Sequence, residues 1–199
     1  MTDPRPSAPG GDPGGTTGLP VAPDPRTAPP LRWGILGAGG IAGAFARDVP
    51  AHSTQQVVAV GSRDRGRAAD FADRHSIPGV HGSYAELVHD PQVDVVYVAT
   101  PHSHHHAHAR LALEAGKPVL VEKAFTRNEA EAQHLFDLAD RAGLFVMEAM
   151  WTRFLPHMVA LRGLVASGAL GELVLVQADH GQRLDSVPRL LDPALAGGA

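Results

Sequence analysis

Apolar residues in this chain fall in short unbroken runs separated by stretches of helical period, beginning at Leu31. Residues 31–36 form such a run, closed by glycines, and predict a buried strand; residues 41–49 follow as a helix. A second strand is predicted over 56–60, and 65–75 reads as a helix with charge on its outer face. Residues 84–89 make a short helix, and 93–99 a nearly continuous apolar strand. A helix over 107–115 stops at Gly116, a strand covers 119–121, and Asn128 caps a helix that runs to Arg141 and ends at Gly143. Residues 144–147 are the next strand. These strands are apolar throughout rather than alternating, the pattern of a parallel sheet covered on both faces by helices. About six strands before Met150 suffice for a complete doubly wound α/β domain.

The flanks differ in texture. Residues 1–30 hold nine Pro and five Gly. Such a segment buries too little apolar surface to offset its ordering entropy, so it is expected to be a disordered tail. Beyond Met150 a helix is predicted over 157–167 and a strand over 172–178. The domain organisation read from the sequence is therefore a tail over 1–30, a dinucleotide-type domain over 31–150, and over 151–199 the incomplete start of an α+β substrate or oligomerisation domain.

Composition narrows the function. A formal net charge of −4 and no Lys/Arg run argue against a nucleic-acid or membrane-surface partner. The absence of cysteine excludes disulfides, thiolate metal sites and a cysteine nucleophile, and fits a reducing cytoplasm. No window reaches the roughly 18 continuous apolar residues of a membrane span, and the N-terminus lacks the pattern of a secretory signal. The basic residues are almost all Arg: Lys117 and Lys123 are the two lysines, so each merits inspection.

Gly37-Ala38-Gly39-Gly40-Ile41-Ala42 has the form GxGxxA between a strand and a helix. In that setting Gly37 permits the tight turn, Gly39 lets the backbone approach a pyrophosphate, and Ala42 lets helix and strand pack closely. Gly40 and Ile41 open the helix, whose free N–H groups face the phosphates. This makes the sheet a Rossmann-type fold. Where an NAD site usually carries an acid at the end of the second strand, Ser62 stands here, followed by Arg63. A hydroxyl and a guanidinium suit a 2′-phosphate, so NADP is favoured, with NAD the alternative if Asp64 serves the ribose.

Three further segments complete a recognisable set: Ala99-Thr100-Pro101-His102-Ser103-His104-His105, Ala115-Gly116-Lys117-Pro118-Val119-Leu120-Val121-Glu122-Lys123, and Glu148-Ala149-Met150-Trp151-Thr152-Arg153-Phe154-Leu155-Pro156. With the glycine turn they resemble the Gfo/Idh/MocA family of oxidoreductases, most closely the branch of dimeric dihydrodiol dehydrogenases and related sugar dehydrogenases. The resemblance implies that Thr100, Pro101 and His105 line the nicotinamide ribose pocket. It implies that Lys123 is the catalytic lysine with Glu122 orienting it, and that Trp151 and Arg153 lie near the cofactor or the domain seam. The family's Glu-Lys-Pro stands here as Glu122-Lys123-Ala124, which leaves the peptide after Lys123 open between cis and trans. The family's second domain is a large open sheet, so the chain reads as truncated at its C-terminus, with the His or Tyr partner of Lys123 expected beyond Ala199. On that reading it binds a dinucleotide but turns over little substrate.

Five histidines between His102 and His108 invite a metal site, with His104 and His108 one turn apart. No HExxH, cysteine or suitably spaced acid accompanies them, so no metal is assigned. The sequence thus predicts an NAD(P)-dependent dehydrogenase acting on the CH–OH group of a sugar, polyol or cyclic diol, homo-oligomeric at full length. The rivals are a non-catalytic NADP-binding regulatory protein, a histidine-built metal module, and an inactive truncated copy.

Overall fold

The computed structural model describes residues 20–181, Asp192 and Leu195. Six strands form one sheet in the order β3-β2-β1-β4-β5-β6: β1 (Arg32–Leu36), β2 (Gln56–Gly61), β3 (Gly79–His81), β4 (Val95–Val98), β5 (Val119–Val121) and β6 (Val146–Glu148). Every neighbouring pair is parallel. The chain starts at the centre with β1, works outward to β3, then returns to the other side of β1 with β4, which is the doubly wound topology expected from the apolar runs.

Alternation along each strand sorts the core into two layers. Leu36, Val96, Val98, Val119 and Val121 point to one face and pack with Leu87, Val88, Leu113 and Leu135. These come from α3 (Tyr84–Val88), α4 (His105–Glu114) and α5 (Glu129–Ala142). Ile35, Val60 and Tyr97 point to the other face and pack with Ala42, Ala46, Phe71 and Ala72. Those lie on α1 (Gly40–His52) and α2 (Arg65–His75). Both faces of the sheet are buried, which is why its strands carry no polar alternation.

Helix ends follow local chemistry. Asp64 caps α2 by accepting from the Arg67 N–H, Ser83 caps α3 through the Glu86 N–H, and Asn128 caps α5 through the Glu131 N–H. Gly143, at φ 64°, ends α5. Up to Ala166 the predicted elements agree to within two or three residues, with α4 starting at His105 after a 3-10 turn over His102–His104. The short edge strand β3 was absent from the elements named in the sequence.

Most of the expected tail, residues 1–19, lies outside the described residues. Its final part departs from the disorder expected. Asp24 caps a 3-10 turn over Pro25–Thr27, and the carbonyls of Ala28 and Pro29 accept from Thr54 and Gln55. Prolines with preset φ and a capping Asp reduce the entropy that ordering must overcome.

Residues 23–151 form one compact unit, and residues 152–178 belong to another. The latter contains α6 (Pro156–Ala166), in which Arg162 donates to the Arg153 carbonyl at 2.7 Å. The strand expected over 172–178 is not formed: these residues have no regular secondary structure and are exposed, Val174 at 92%. Apolar content alone does not make a strand. Its backbone groups need a neighbouring ladder, and among the described residues none pairs with them. Among the described residues no helix is long and apolar enough to cross a membrane.

Candidate functional site

A cavity of about 860 Å³ opens at the carboxyl ends of β1, β2, β4 and β5, within the size range of small-molecule and cofactor sites. Its floor begins with the turn from β1 into α1. Gly37 holds φ +107° and donates its N–H to the Gly61 carbonyl at 2.9 Å. A Cβ there would lie 2.9 Å from the Ala99 carbonyl oxygen, so the position requires glycine both for space and for conformation. Gly39 is the N-cap of α1 and makes no side-chain capping bond. Around both Gly39 and Gly40 the space a Cβ would take is empty. The first-turn N–H groups of α1 thus face open cavity, with the positive end of the helix dipole behind them. Gly37, Gly39, Gly40 and Ile41 all line it.

The end of β2 forms a polar corner. Ser62 is buried, and its Oγ accepts from the Asp64 N–H at 3.2 Å. Asp64 Oδ1 accepts from the Arg67 N–H at 3.1 Å, so this carboxylate is engaged in capping α2. Arg63 and Arg67 both line the cavity, with Tyr84 beside them. Burial pushes the Tyr84 phenol above its usual range, an effect that the neighbouring Arg63 charge opposes.

After β4, Ala99, Thr100, Pro101 and His102 line the wall. His105 does not line it. It is fully buried behind the wall, with Nδ1 at 2.8 Å from the Ala124 carbonyl and Nε2 at 2.8 Å from the Thr100 carbonyl. This corrects the expectation that His105 is a pocket-lining residue, because both its ring nitrogens are committed to backbone. His108 Nδ1 sits 2.9 Å from Thr100 Oγ1, with its ring against Tyr84. Burial, reinforced by His104, His105 and Arg63, pushes His108 down to about 4, so the imidazole is neutral at physiological pH. His106 pairs with His134 at 2.9 Å across α4 and α5. His102 packs against His105 and His104 against His108, with ring centroids 5.4 and 5.6 Å apart. Among the described residues no group of three or more His, Asp or Glu is placed to hold a metal.

The fourth contribution follows β5. Glu122, 8% exposed, accepts from the Tyr97 hydroxyl at 2.6 Å through Oε1 and from the Lys123 N–H at 3.1 Å through Oε2. The Lys123–Ala124 peptide is cis. Glu148 Oε1 accepts from the Phe125 N–H at 3.0 Å and holds the next turn of the loop. The two lysines differ sharply. Lys117 Nζ donates to the Val93 and Asp90 carbonyls at 2.6 and 3.2 Å and is structural. Lys123 is exposed, lines the cavity, and among the described residues its ammonium has no hydrogen-bond partner.

The cavity therefore brings together the glycine turn, Ser62, Arg63, Thr100, Pro101, Glu122 and Lys123. Trp151 lies past β6, exposed and outside the lining, and Arg153 belongs to the second compact unit. Sequence reasoning missed Arg67 and Tyr84. Arg67 was legible three residues after an N-capping Asp, a spacing that puts it on the first turn of α2.

The family model described as an oxidoreductase family with an NAD-binding Rossmann fold, Gfo/Idh/MocA, matches residues 31–150. Trans-1,2-dihydrobenzene-1,2-diol dehydrogenase from Macaca fuscata fuscata is 48% identical over 172 residues, covering 85% of this chain and 51% of the relative. The human enzyme of the same name is 47% identical over the same length, again 85% and 51%. The chain thus spans about half the length of the curated relatives it matches. Among solved structures, a 3-ketoreductase from Actinomadura kijaniata in complex with TDP-benzene and NADP superimposes with TM-score 0.65 at 32% identity, over 72% of this chain and 46% of that one. An NAD-binding oxidoreductase from Klebsiella pneumoniae also gives 0.65 at 32% identity, over 71% and 40%.

Proposed function

The chain belongs to the Gfo/Idh/MocA oxidoreductase family, and from that membership we propose that it is an NADP-dependent dehydrogenase of a sugar, polyol or cyclic diol hydroxyl, with the cavity as its cofactor site and Lys123 at the reacting end. The observation that carries this is the lining: an uncapped helix N-terminus, two arginines and one free ammonium share a single cavity. The residues present fit a nicotinamide dinucleotide. The empty space above Gly39 and Gly40 and the open N–H groups of α1 suit a pyrophosphate. Ser62, Arg63 and Arg67 suit a 2′-phosphate: Asp64, which lines the cavity as well, has its Oδ1 in the cap of α2, and the lining residues hold no other acid at the end of β2. The Actinomadura ketoreductase was solved with NADP, in keeping with this choice.

The bound nicotinamide supplies the hydride chemistry. The chain's own residues do the rest. Thr100 and Pro101 wall the ribose side, while Glu122 fixes the backbone of Lys123 through its N–H. In the oxidation direction the Lys123 amine accepts the hydroxyl proton, and the ammonium so formed stabilises the substrate oxygen; in the reduction direction that ammonium returns the proton. The curated relatives named as dihydrodiol dehydrogenases point to a vicinal diol as the first substrate to try.

Fluorescence titration of the protein with NADPH and NADH tests the cofactor assignment. NADP-linked oxidation of a panel of trans-diols and sugars, with and without Lys123→Met, tests the chemistry. Failure to bind either dinucleotide, or turnover undiminished by Lys123→Met, would overturn the reading.

A further inference from the structure

Strand β4 carries one polar atom in its side chains, the hydroxyl of Tyr97, amid Val95, Val96 and Val98. Its ring, 2% exposed, stacks on Phe45 at 4.0 Å, and Phe45 in turn meets Trp33 edge-on at 5.1 Å. For this packing a phenylalanine would serve equally. The hydroxyl adds one interaction, the 2.6 Å bond to Glu122 Oε1. A phenol donating to a carboxylate is charge-assisted and among the stronger hydrogen bonds available. Burial and the Glu122 carboxylate hold Tyr97 well above the usual tyrosine range, so it remains a donor at every physiological pH.

Glu122 is itself nearly buried, yet it lines the cavity. Its second oxygen accepts from the N–H of Lys123. A continuous relay therefore runs from the aromatic stack on one face of the sheet, through Tyr97 and Glu122, to the backbone of the lysine at the cavity floor. Without the tyrosine bond the carboxylate would keep one short-range partner and could swing toward the cavity. We propose that Tyr97 is a positioning residue, which locks the Glu122 carboxylate and through it the Lys123 backbone in the geometry that receives the dinucleotide. The inference rests on the cavity being the cofactor site proposed above, and it adds a residue that the chemistry of Lys123 does not itself require.

The two lysines make a direct test possible. The full chain labelled with 15N-lysine gives two backbone amide signals, and Lys117→Arg removes one and so assigns the other. Tyr97→Phe, which preserves the ring, should move or broaden the Lys123 amide and leave that of Lys117 in place. In parallel, NADPH titration should show affinity about tenfold weaker in Tyr97→Phe, the loss expected when a hydrogen bond to a charged group is removed. In a Glu122→Leu background, where neither bond can form, the same substitution should cost little more. A general loosening of the fold would weaken binding equally in both backgrounds and shift both amides. An unmoved Lys123 amide, equal losses in the two backgrounds, or unchanged affinity in a chain that binds NADPH overturns the proposal. If the parent chain binds no NADPH, the cofactor reading fails, and the lysine amides alone decide whether the relay exists. Should Tyr97→Phe fold poorly, Glu122→Leu alone must move the Lys123 amide, and its failure to do so is equally decisive.

Discussion

Replacing Arg63 by alanine should narrow or reverse a preference of this protein for NADP over NAD. The structure sets the size of the effect. Arg63 and Arg67 line the same corner of the cavity at the end of β2. Ser62 offers a hydroxyl where an acid would repel a phosphate, and Asp64 Oδ1 is engaged by the Arg67 N–H. A hydrogen bond to a charged group contributes about 1.5–3 kcal/mol, or about 10- to 150-fold in affinity. With Arg67 still in place the low end applies, so Arg63→Ala should weaken NADP binding about tenfold, and Arg63→Ala/Arg67→Ala about a hundredfold. NAD carries no 2′-phosphate, so its affinity should change no more than about threefold, a bound set by the adenine stacking an arginine can add. Titrations with NADPH and NADH by nucleotide fluorescence, at low and at physiological salt, measure all four values. Screening should shrink the difference between the cofactors, because the corner is open to solvent. Equal affinities in the parent protein, or an Arg63→Ala effect that falls equally on both cofactors, would refute the assignment of this corner to a phosphate.

Further outcomes follow from other parts of the site. Lys123→Met should leave NADPH affinity within about threefold while lowering hydride transfer by about 10²–10⁴, the usual contribution of a proton-transferring group, as read from steady-state rates on a diol substrate. Gly37→Ala meets the Ala99 carbonyl at 2.9 Å with φ at +107°; it should cost about 2–3 kcal/mol and lower the melting temperature by about 5–10 °C. Gly39→Ala meets nothing in the protein, so its melting temperature should hold while NADPH binding weakens, which a thermal melt beside a titration distinguishes. His108 is pushed down to about 4 by burial, below the 6.5 or so of an unfolded histidine. Its neutral form therefore adds stability that is complete above pH 6.5 and is lost as pH falls toward 4. With its partial exposure discounted, about 1–2 kcal/mol should disappear over that window in urea melts, and His108→Gln should flatten the dependence.

The sheet and its helices were legible because burial on both faces leaves a plain mark, runs such as Val95 to Val98 with no polar interruption. The edge strand β3 was not, since Gly79, Val80 and His81 are too few and too mixed to make a run. The opposite error arose at 172–178, where apolar residues signalled a strand although pairing depends on what lies alongside and not on the segment itself. At the site, the glycine turn, Ser62 and Arg63 could be read from their spacing because each acts within a few residues of a strand end. Arg67 looked like one more charge on the outer face of a helix until the Asp64 cap fixed where that helix begins. His105 was assigned by resemblance to the pocket, and the structure turns both its nitrogens onto carbonyls behind it. Tyr97 and Glu122 are 25 residues apart, and no local pattern announces a bond made across neighbouring strands.

What gathers these residues is the register of the sheet. Leu36 pairs with Gly61 on one side and with Val98 on the other, and Val98 pairs with Val121. The next residue in each strand is Gly37, Ser62, Ala99 or Glu122, and all four line the cavity. The ladder runs into this row: Gly37 donates to Gly61, Ala99 to Leu36, and Glu122 to Val98, each at 2.9 Å. Parallel strands end on the same side, so four loops far apart in sequence deliver their first residues to one line. Each position in that line has a different task. Gly37 turns the chain, Ser62 opens the polar corner, Ala99 presents the carbonyl past which the turn runs, and Glu122 anchors the lysine. A one-residue slip of any strand would replace its member of the row by a residue from the opposite face of the sheet. The two apolar layers, which fix that register by burying Leu36, Val98 and Val121 on one side and Ile35, Val60 and Tyr97 on the other, are therefore what aligns the site.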